Sequence, residues 1–202
     1  MSPILATRLS KLRARMAATD TDLVVIGPSS HMLYLADLAP HGDERPVLLM
    51  ISASFAGLLM PALNVDSSRQ HTELPFFPWA DADGPAVALE ELLTATGIDR
   101  ATPSIVLDET MRADFALLVL DALPGASRRF TDDTVGYLRS RKDVAEYRAL
   151  KASALLNDAA MAAGFAALRP GITEREIASV IRDFYKANGA TPEFTSVCFG
   201  PN

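Results

Sequence analysis

Side-chain chemistry needs titratable or nucleophilic groups gathered in one place, and this chain is sparing with them. Its three histidines, His31, His41 and His71, are too far apart to be local metal ligands, and no His-x-x-x-His, Cys-x-x-Cys or EF-hand loop occurs. Imidazole ligands come in clusters, so wide spacing favours ordinary solvated or packed histidines. His71 lies near Glu73 in a polar stretch, where solvation explains it. His31 follows an expected strand end, where sheet-based sites collect ligands, but it reads first as a loop residue bonded to backbone. Glu174 and Glu176 look like a carboxylate pair, yet two positions apart on a helix they point about 200° apart. Capping and the favourable helix N-terminus account for both. Asp132-Asp133 reads as a turn. Cys198 lies in an apolar stretch with no basic neighbour to favour its thiolate, so a buried structural thiol is expected. There is no Gly-x-Gly-x-x-Gly, P-loop or Gly-x-Ser-x-Gly. The patch Phe76-Phe77-Pro78-Trp79 reads as loop packed on the core, with an exposed partner patch or ligand lid as the functional alternative. Residue chemistry alone thus yields no active site.

The elements that would position these residues alternate. Leu5, Leu9, Leu12 and Met16 recur at helical spacing, with Arg8, Lys11, Arg13 and Arg15 largely off that stripe. A core-facing first helix accounts for this better than a mitochondrial presequence. Leu23-Val24-Val25-Ile26 is a β-branched buried-strand run stopped by Gly27-Pro28. Residues 29–38 are mixed. Residues 46–51, 57–60 and 105–108 read as further strands, and 66–84 as loop with room for one strand. Residues 85–96 and 111–123 read as helices, the first with Pro85 early and Gly97 just past its end. This alternation implies an α/β layer structure.

The character changes near residue 131. Turn-like Thr131-Asp132-Asp133-Thr134 and basic Leu138-Arg139-Ser140-Arg141-Lys142 suggest a linker over 131–142, between domains at 1–130 and 143–202. An alanine-rich helix then spans about 143–168, with Tyr147, Leu150, Ala154, Met161, Phe165 and Leu168 on one stripe. After Pro170-Gly171, Thr173-Glu174-Arg175-Glu176 forms a capping box for a helix burying Ile177, Val180, Ile181 and Phe184 and ending at Asn188-Gly189. Residues 193–199 read as a strand. Two helices and a lone strand rarely bury a whole apolar face, so this second region looks unfinished and prone to self-association.

Composition sets the class. The 202 residues are 49% hydrophobic and 22% charged, a globular balance. A net charge of -6 offers no general attraction to nucleic acid or anionic membrane. A single cysteine excludes an internal disulfide framework and fits a reducing compartment. No run approaches the ~20 apolar residues of a spanning helix, and no secretory h-region opens the chain, so a cytoplasmic protein is expected.

Residues 138–202 resemble the entry into the pita-bread catalytic domain of the creatinase/prolidase/aminopeptidase P metallopeptidases. Leu138-Arg139, Lys142 and Glu146 are similar to the family's linker and first helix start. Asn157-Asp158-Ala159-Ala160 and Leu168-Arg169-Pro170-Gly171-Ile172-Thr173-Glu174-Arg175-Glu176-Ile177-Ala178 resemble its helix–turn–helix. Gly189, Pro192-Glu193-Phe194-Thr195-Ser196-Val197 and Gly200-Pro201-Asn202 resemble its first catalytic-domain strand and turn. Before residue 138 the likeness is weaker: Tyr34-Leu35-Ala36 lies near the family's Tyr-Leu-Thr-Gly, with Ala36 and Asp37 departing from it.

The resemblance implies an α/β creatinase-type N-terminal domain, a mixed sheet with flanking helices, followed by an incomplete α+β pita-bread domain. It implies amide hydrolysis before proline by water activated on two divalent metals, Mn²⁺, Co²⁺ or Zn²⁺, held by two Asp, one His and two Glu. In the family those ligands follow the strand at which this chain stops, so none of its residues is assigned as metal ligand or catalytic group, and the 202-residue chain is expected to be inactive. Phe194 and Val197 align with the family's S1 pocket wall, against plain strand core. Trp79 is the candidate for a cap over a neighbouring subunit's site. The implied partners are a second copy of the chain and, for the longer protein, a peptide or small amide. A creatinase or ectoine-hydrolase type of amidohydrolase, or a non-catalytic binding or dimerisation module, are the alternatives.

Overall fold

The structure, a computed structural model, describes residues 2–98 and 101–200. Of the turn Gly200-Pro201-Asn202, Pro201 and Asn202 lie outside the described residues. The chain forms two compact units, Met1–Arg141 and Lys142–Asn202.

The first unit is built on one sheet, whose apolar runs are covered on both faces. α1 (Pro3–Ala18) is capped by Ser2 and buries Leu5, Leu9, Leu12 and Met16, as their spacing requires. β1 (Leu23–Ile26) is buried throughout. Side chains alternate across a strand, so Val24 and Ile26 enter one core while Leu23 and Val25 enter the other. β2 (Leu48–Ser52), β3 (Ala56–Pro61) and β5 (Ser104–Leu107) divide in the same way: Leu49, Ile51, Leu58, Met60 and Val106 on one side, Leu48, Met50, Leu59, Ile105 and Leu107 on the other. α1, α2 (Ser30–Ala36) and α3 (Ala62–Ser68) contribute to the first core, and α4 (Ala86–Thr96) and α5 (Ala113–Ala122) to the second. The result is helices on both sides of a sheet, which is why the strands read as continuous apolar runs.

With β4 (Phe76–Trp79) and β6 (Ser127–Arg129), the strand order is β4-β3-β2-β1-β5-β6. β2 pairs antiparallel with β1 and β3, while β1–β5, β5–β6 and β3–β4 are parallel. The sheet is mixed, as expected. Both outer strands are poor templates for a further strand: β4 carries Pro78, and β6 is only three residues with two arginines. Gly57 is needed where the second core closes over β3, because a Cβ there would lie 2.7 Å from the Phe55 ring and 3.0 Å from Leu92.

Three elements depart from the sequence reading. The mixed stretch 29–38 contains α2, started by the Ser29 hydroxyl accepting from the His31 amide at 3.1 Å. The stretch read as loop from residue 66 overlaps α3, whose Asn64, Ser67 and Ser68 are weak helix formers. β6 carries no apolar pattern and is recruited by pairing with β5. Within 131–142, Thr131–Asp133 form a 3₁₀ turn and Val135–Ser140 form α6. Val135 is buried in the first core and Leu138 packs against it.

The second unit is a helix pair. α7 (Val144–Ala166) starts at a capping box between Asp143 and Glu146, with both bonds at 2.9 Å. α8 (Glu174–Ala187) starts at the expected box: the Thr173 hydroxyl accepts from the Glu176 amide, and the Glu176 carboxylate accepts from the Thr173 amide at 2.8 Å. Gly189 follows with φ +70°. The buried core is small: Ala160, Ile177 and Ile181. Tyr147, Leu150, Phe165 and Leu168 are exposed, and the contact face of α7 is made instead by small residues. At Gly164 a Cβ would stand only 3.0 Å from Ile181 Cγ1, so α8 crosses close on Ala160 and Gly164. Residues 193–199 form no strand, because a strand exists only by pairing and no ladder partner lies beside them among the described residues. Cys198, expected to be buried, is exposed for the same reason.

Candidate functional site

β1 and β5 are parallel neighbours, so their carboxyl ends open on the same edge, the place where sheet-based sites gather. Asp108 directly follows β5, its amide donating to the Val25 carbonyl at 3.0 Å. Its carboxylate is buried, and neutral donors satisfy it: Ser29 Oγ at 2.6 Å, the Thr110 amide at 2.9 Å and Thr110 Oγ1 at 2.6 Å. The next residue, Glu109, reaches the 3₁₀ turn and accepts from Thr131 Oγ1 at 2.8 Å and the Thr131 amide at 3.3 Å. Burial raises the Glu109 pKa, but bonds from its own backbone, from the Thr131 hydroxyl and amide, and the nearby His31 outweigh it, holding the carboxyl below its ordinary range.

Glu109 is therefore a carboxylate whose proton affinity is lower folded than unfolded. Its contribution is present above its ordinary pKa of 4.5 and is lost as pH falls through the lower folded value. Glu109→Gln is expected to be less stable than wild type at pH 7 and to converge on it as pH falls below 5, so that the acid limb measured by urea unfolding at a series of pH values is flattened. An unaltered acid limb would show that the Thr131 bonds do not favour the ionised form.

His31, on α2, joins this cluster. Nδ1 lies 2.9 Å from Arg139 Nη1 of α6, and Nε2 lies 3.6 Å from Glu109 Oε1. His31, Asp108 and Glu109 each offer an atom within 4.8 Å of the others, a spacing a cation would accept. The surrounding chemistry opposes one. A guanidinium only donates, so Nδ1 accepts and the proton of neutral His31 sits on Nε2, the atom a metal would need. The positive charge of Arg139 adds repulsion, and both Asp108 oxygens are already engaged. The cluster is a hydrogen-bonded junction tying α2, the end of β5, the 3₁₀ turn and α6. Sequence reasoning left His31 as a backbone-bonded loop residue. The Asp108-Glu109 pair after an apolar strand was the available signal, but nothing local pointed to Arg139.

The other sequence-derived residues fall elsewhere. Trp79 is buried in β4, where its Nε1 donates to the Pro46 carbonyl at 3.0 Å. Phe77 of the same patch meets Phe55 edge-on at 6.1 Å. In the second unit, Val197 packs on the Ile177–Ile181 cluster and lines an apolar groove of ≈ 710 Å³ with Phe165, Leu168 and Phe199. Phe194 is 80% exposed and does not line it. The Phe199 amide donates to Glu174 Oε1 at 2.8 Å, holding the 195–199 segment against the start of α8. Among the described residues, no helix is long and apolar enough to cross a membrane.

Comparison with known proteins supplies the context. The Creatinase/Prolidase N-terminal domain matches residues 8–141, and Metallopeptidase family M24 matches residues 148–202. An Xaa-Pro dipeptidase of Lactobacillus helveticus is 27% identical over 178 residues, covering 86% of this chain and 48% of that protein. The dipeptidase PepE of Mycobacterium ulcerans superposes with a TM-score of 0.80 at 26% identity, over 91% of this chain and 49% of its own. A dipeptidase of Pyrococcus horikoshii OT3 gives 0.76 at 25% identity, over 90% and 50%. A prolidase of Thermococcus sibiricus shares the fold, with a TM-score of 0.80 at 21% identity. The chain spans about half the length of these relatives. A creatinase-type sheet domain followed directly by the opening helices of a metallopeptidase places the chain in the M24 creatinase/prolidase family, of which it represents the N-terminal portion.

Proposed function

We propose that this chain is the N-terminal portion of a metal-dependent hydrolase that cleaves Xaa-Pro peptides. The observation that carries the reading is the order of the two family matches, 8–141 then 148–202, together with the likeness to an Xaa-Pro dipeptidase over 86% of the chain. In that reading residues 1–130 are the creatinase-type domain, and residues 143–202 open the catalytic one. Val197, beside the apolar groove, and the exposed Phe194 supply part of the wall for the residue before proline.

The two-metal centre implied by the family finds no fitting donor set among the described residues, because the His31, Asp108 and Glu109 grouping is closed by Arg139 and by neutral donors. The role of this portion is therefore to fold, to dock and to line substrate. The 202-residue polypeptide is expected to take up no stoichiometric Mn²⁺ in calorimetry and to release no proline from an Ala-Pro substrate. The reading frame extended past Asn202 is expected to hydrolyse that dipeptide, and EDTA to abolish the activity. Two stoichiometric Mn²⁺ sites on the 202-residue chain would overturn the division of labour. An inactive extended protein would favour a non-catalytic module.

A further inference from the structure

The His31 ring is held between an anion and a cation, with its side chain only 7% exposed. Arg139 Nη1 stands 2.9 Å from Nδ1, and Glu109 Oε1 stands 3.6 Å from Nε2. Because guanidinium nitrogens only donate, the contact with Arg139 requires Nδ1 to carry a lone pair. A proton on Nδ1 would bring two donors and two positive charges head to head, where solvent screens poorly. The charged groups grouped around the ring are Arg139 from α6 and, from the end of β5, Glu109 and Asp108. Among the charged groups the two carboxylates favour an imidazolium and Arg139 opposes it, as does burial of the ring. Protonation is then best accommodated by keeping Glu109 and shedding Arg139.

We propose that His31 is a pH-operated catch on α6: neutral, it holds Arg139, and protonated, it pairs with Glu109 and lets Arg139 go. Histidine is the side chain suited to this task, since it changes charge between about pH 5 and 8. The release is local. Val135 stays buried, Arg15 still donates to the Asp133 carbonyl at 3.0 and 3.1 Å, and the Arg15 guanidinium still covers the Tyr137 ring at 3.9 Å. What loosens is the last turn of α6, through Arg139 and Ser140, which leads directly to Lys142 at the start of the second unit.

The test uses the wild-type chain labelled with ¹⁵N and titrated from pH 7.5 to 5. At pH 7.5 the imidazole spectrum is expected to show His31 Nδ1 unprotonated and Nε2 protonated. As His31 titrates, amide protection at Arg139, Ser140 and Arg141, corrected for intrinsic exchange, is expected to fall about tenfold or more, as suits loss of a hydrogen bond to a charged group. In His31→Gln, whose amide oxygen still accepts from Arg139, that pH dependence disappears. In Arg139→Ala, His31 still titrates while protection in α6 no longer follows it. A proton on Nδ1 of the neutral ring, or α6 protection indifferent to the His31 titration, overturns the proposal. So does a pH dependence that persists in either variant.

Discussion

Phe115→Ala is expected to destabilise the first unit by about 3–5 kcal/mol, the usual cost of emptying a large aromatic site in a packed core. Phe115 is 1% exposed on α5 and shares the second core with Val119, Leu123 and the inward residues of β1 and β5. Arg112 lies 5.5 Å from the ring centroid and is forked onto Asp114 at 3.0 and 2.8 Å, at the exposed edge of the site. Urea unfolding followed by intrinsic fluorescence should show the midpoint falling with an unchanged slope. Leu117→Ala, on the same helix but 57% exposed, should stay within about 0.5 kcal/mol of wild type. A Phe115→Ala loss no larger than the Leu117→Ala control would mean that the second core is far looser than its burial indicates.

The second large effect concerns the helix pair. Ile181→Ala should cost about 2–4 kcal/mol, and here the loss is decisive because only Ala160, Ile177 and Ile181 are buried hydrophobics in that cluster. A core this small leaves no reserve. The Ile181 side chain is also what fills the close approach of α8 to Gly164. Hydrogen exchange should show α7 and α8 losing most of their protection, while amides of β1, β2 and β5 keep theirs. Equal loss of protection in the sheet strands would show that the two units unfold as one.

How much of this was legible in the sequence depends on how local the cause is. β1, β2, β3 and β5 were readable because a run such as Leu23-Val24-Val25-Ile26 needs burial on both faces, and the structure provides it. The Thr173–Glu176 box was readable because both partners lie within one turn. β6 was not, since Ser127-Arg128-Arg129 acquires its conformation from its neighbour alone. The stripe from Tyr147 to Leu168 did not reveal the contact face: helices that cross closely do so on small residues, so Ala160 and Gly164 are buried and the large side chains are not. Residues 193–199 have strand-like composition but no ladder partner among the described residues. The junction at His31 was out of reach of spacing arguments, because His31 and Arg139 are 108 positions apart and meet only once the sheet has brought α2 and α6 together.

The order of the strands along the chain has a consequence for synthesis. Every strand of the sheet comes from residues between Leu23 and Arg129, so the ribosome has delivered all six before it begins α7. The nascent sheet can close once α6 has followed, because Val135 and Leu138 complete its first core. Once closed, it shows neighbouring polysomes a proline on one flank and a short, positively charged rim on the other, so emerging chains have little to zip onto while the rest is still being translated.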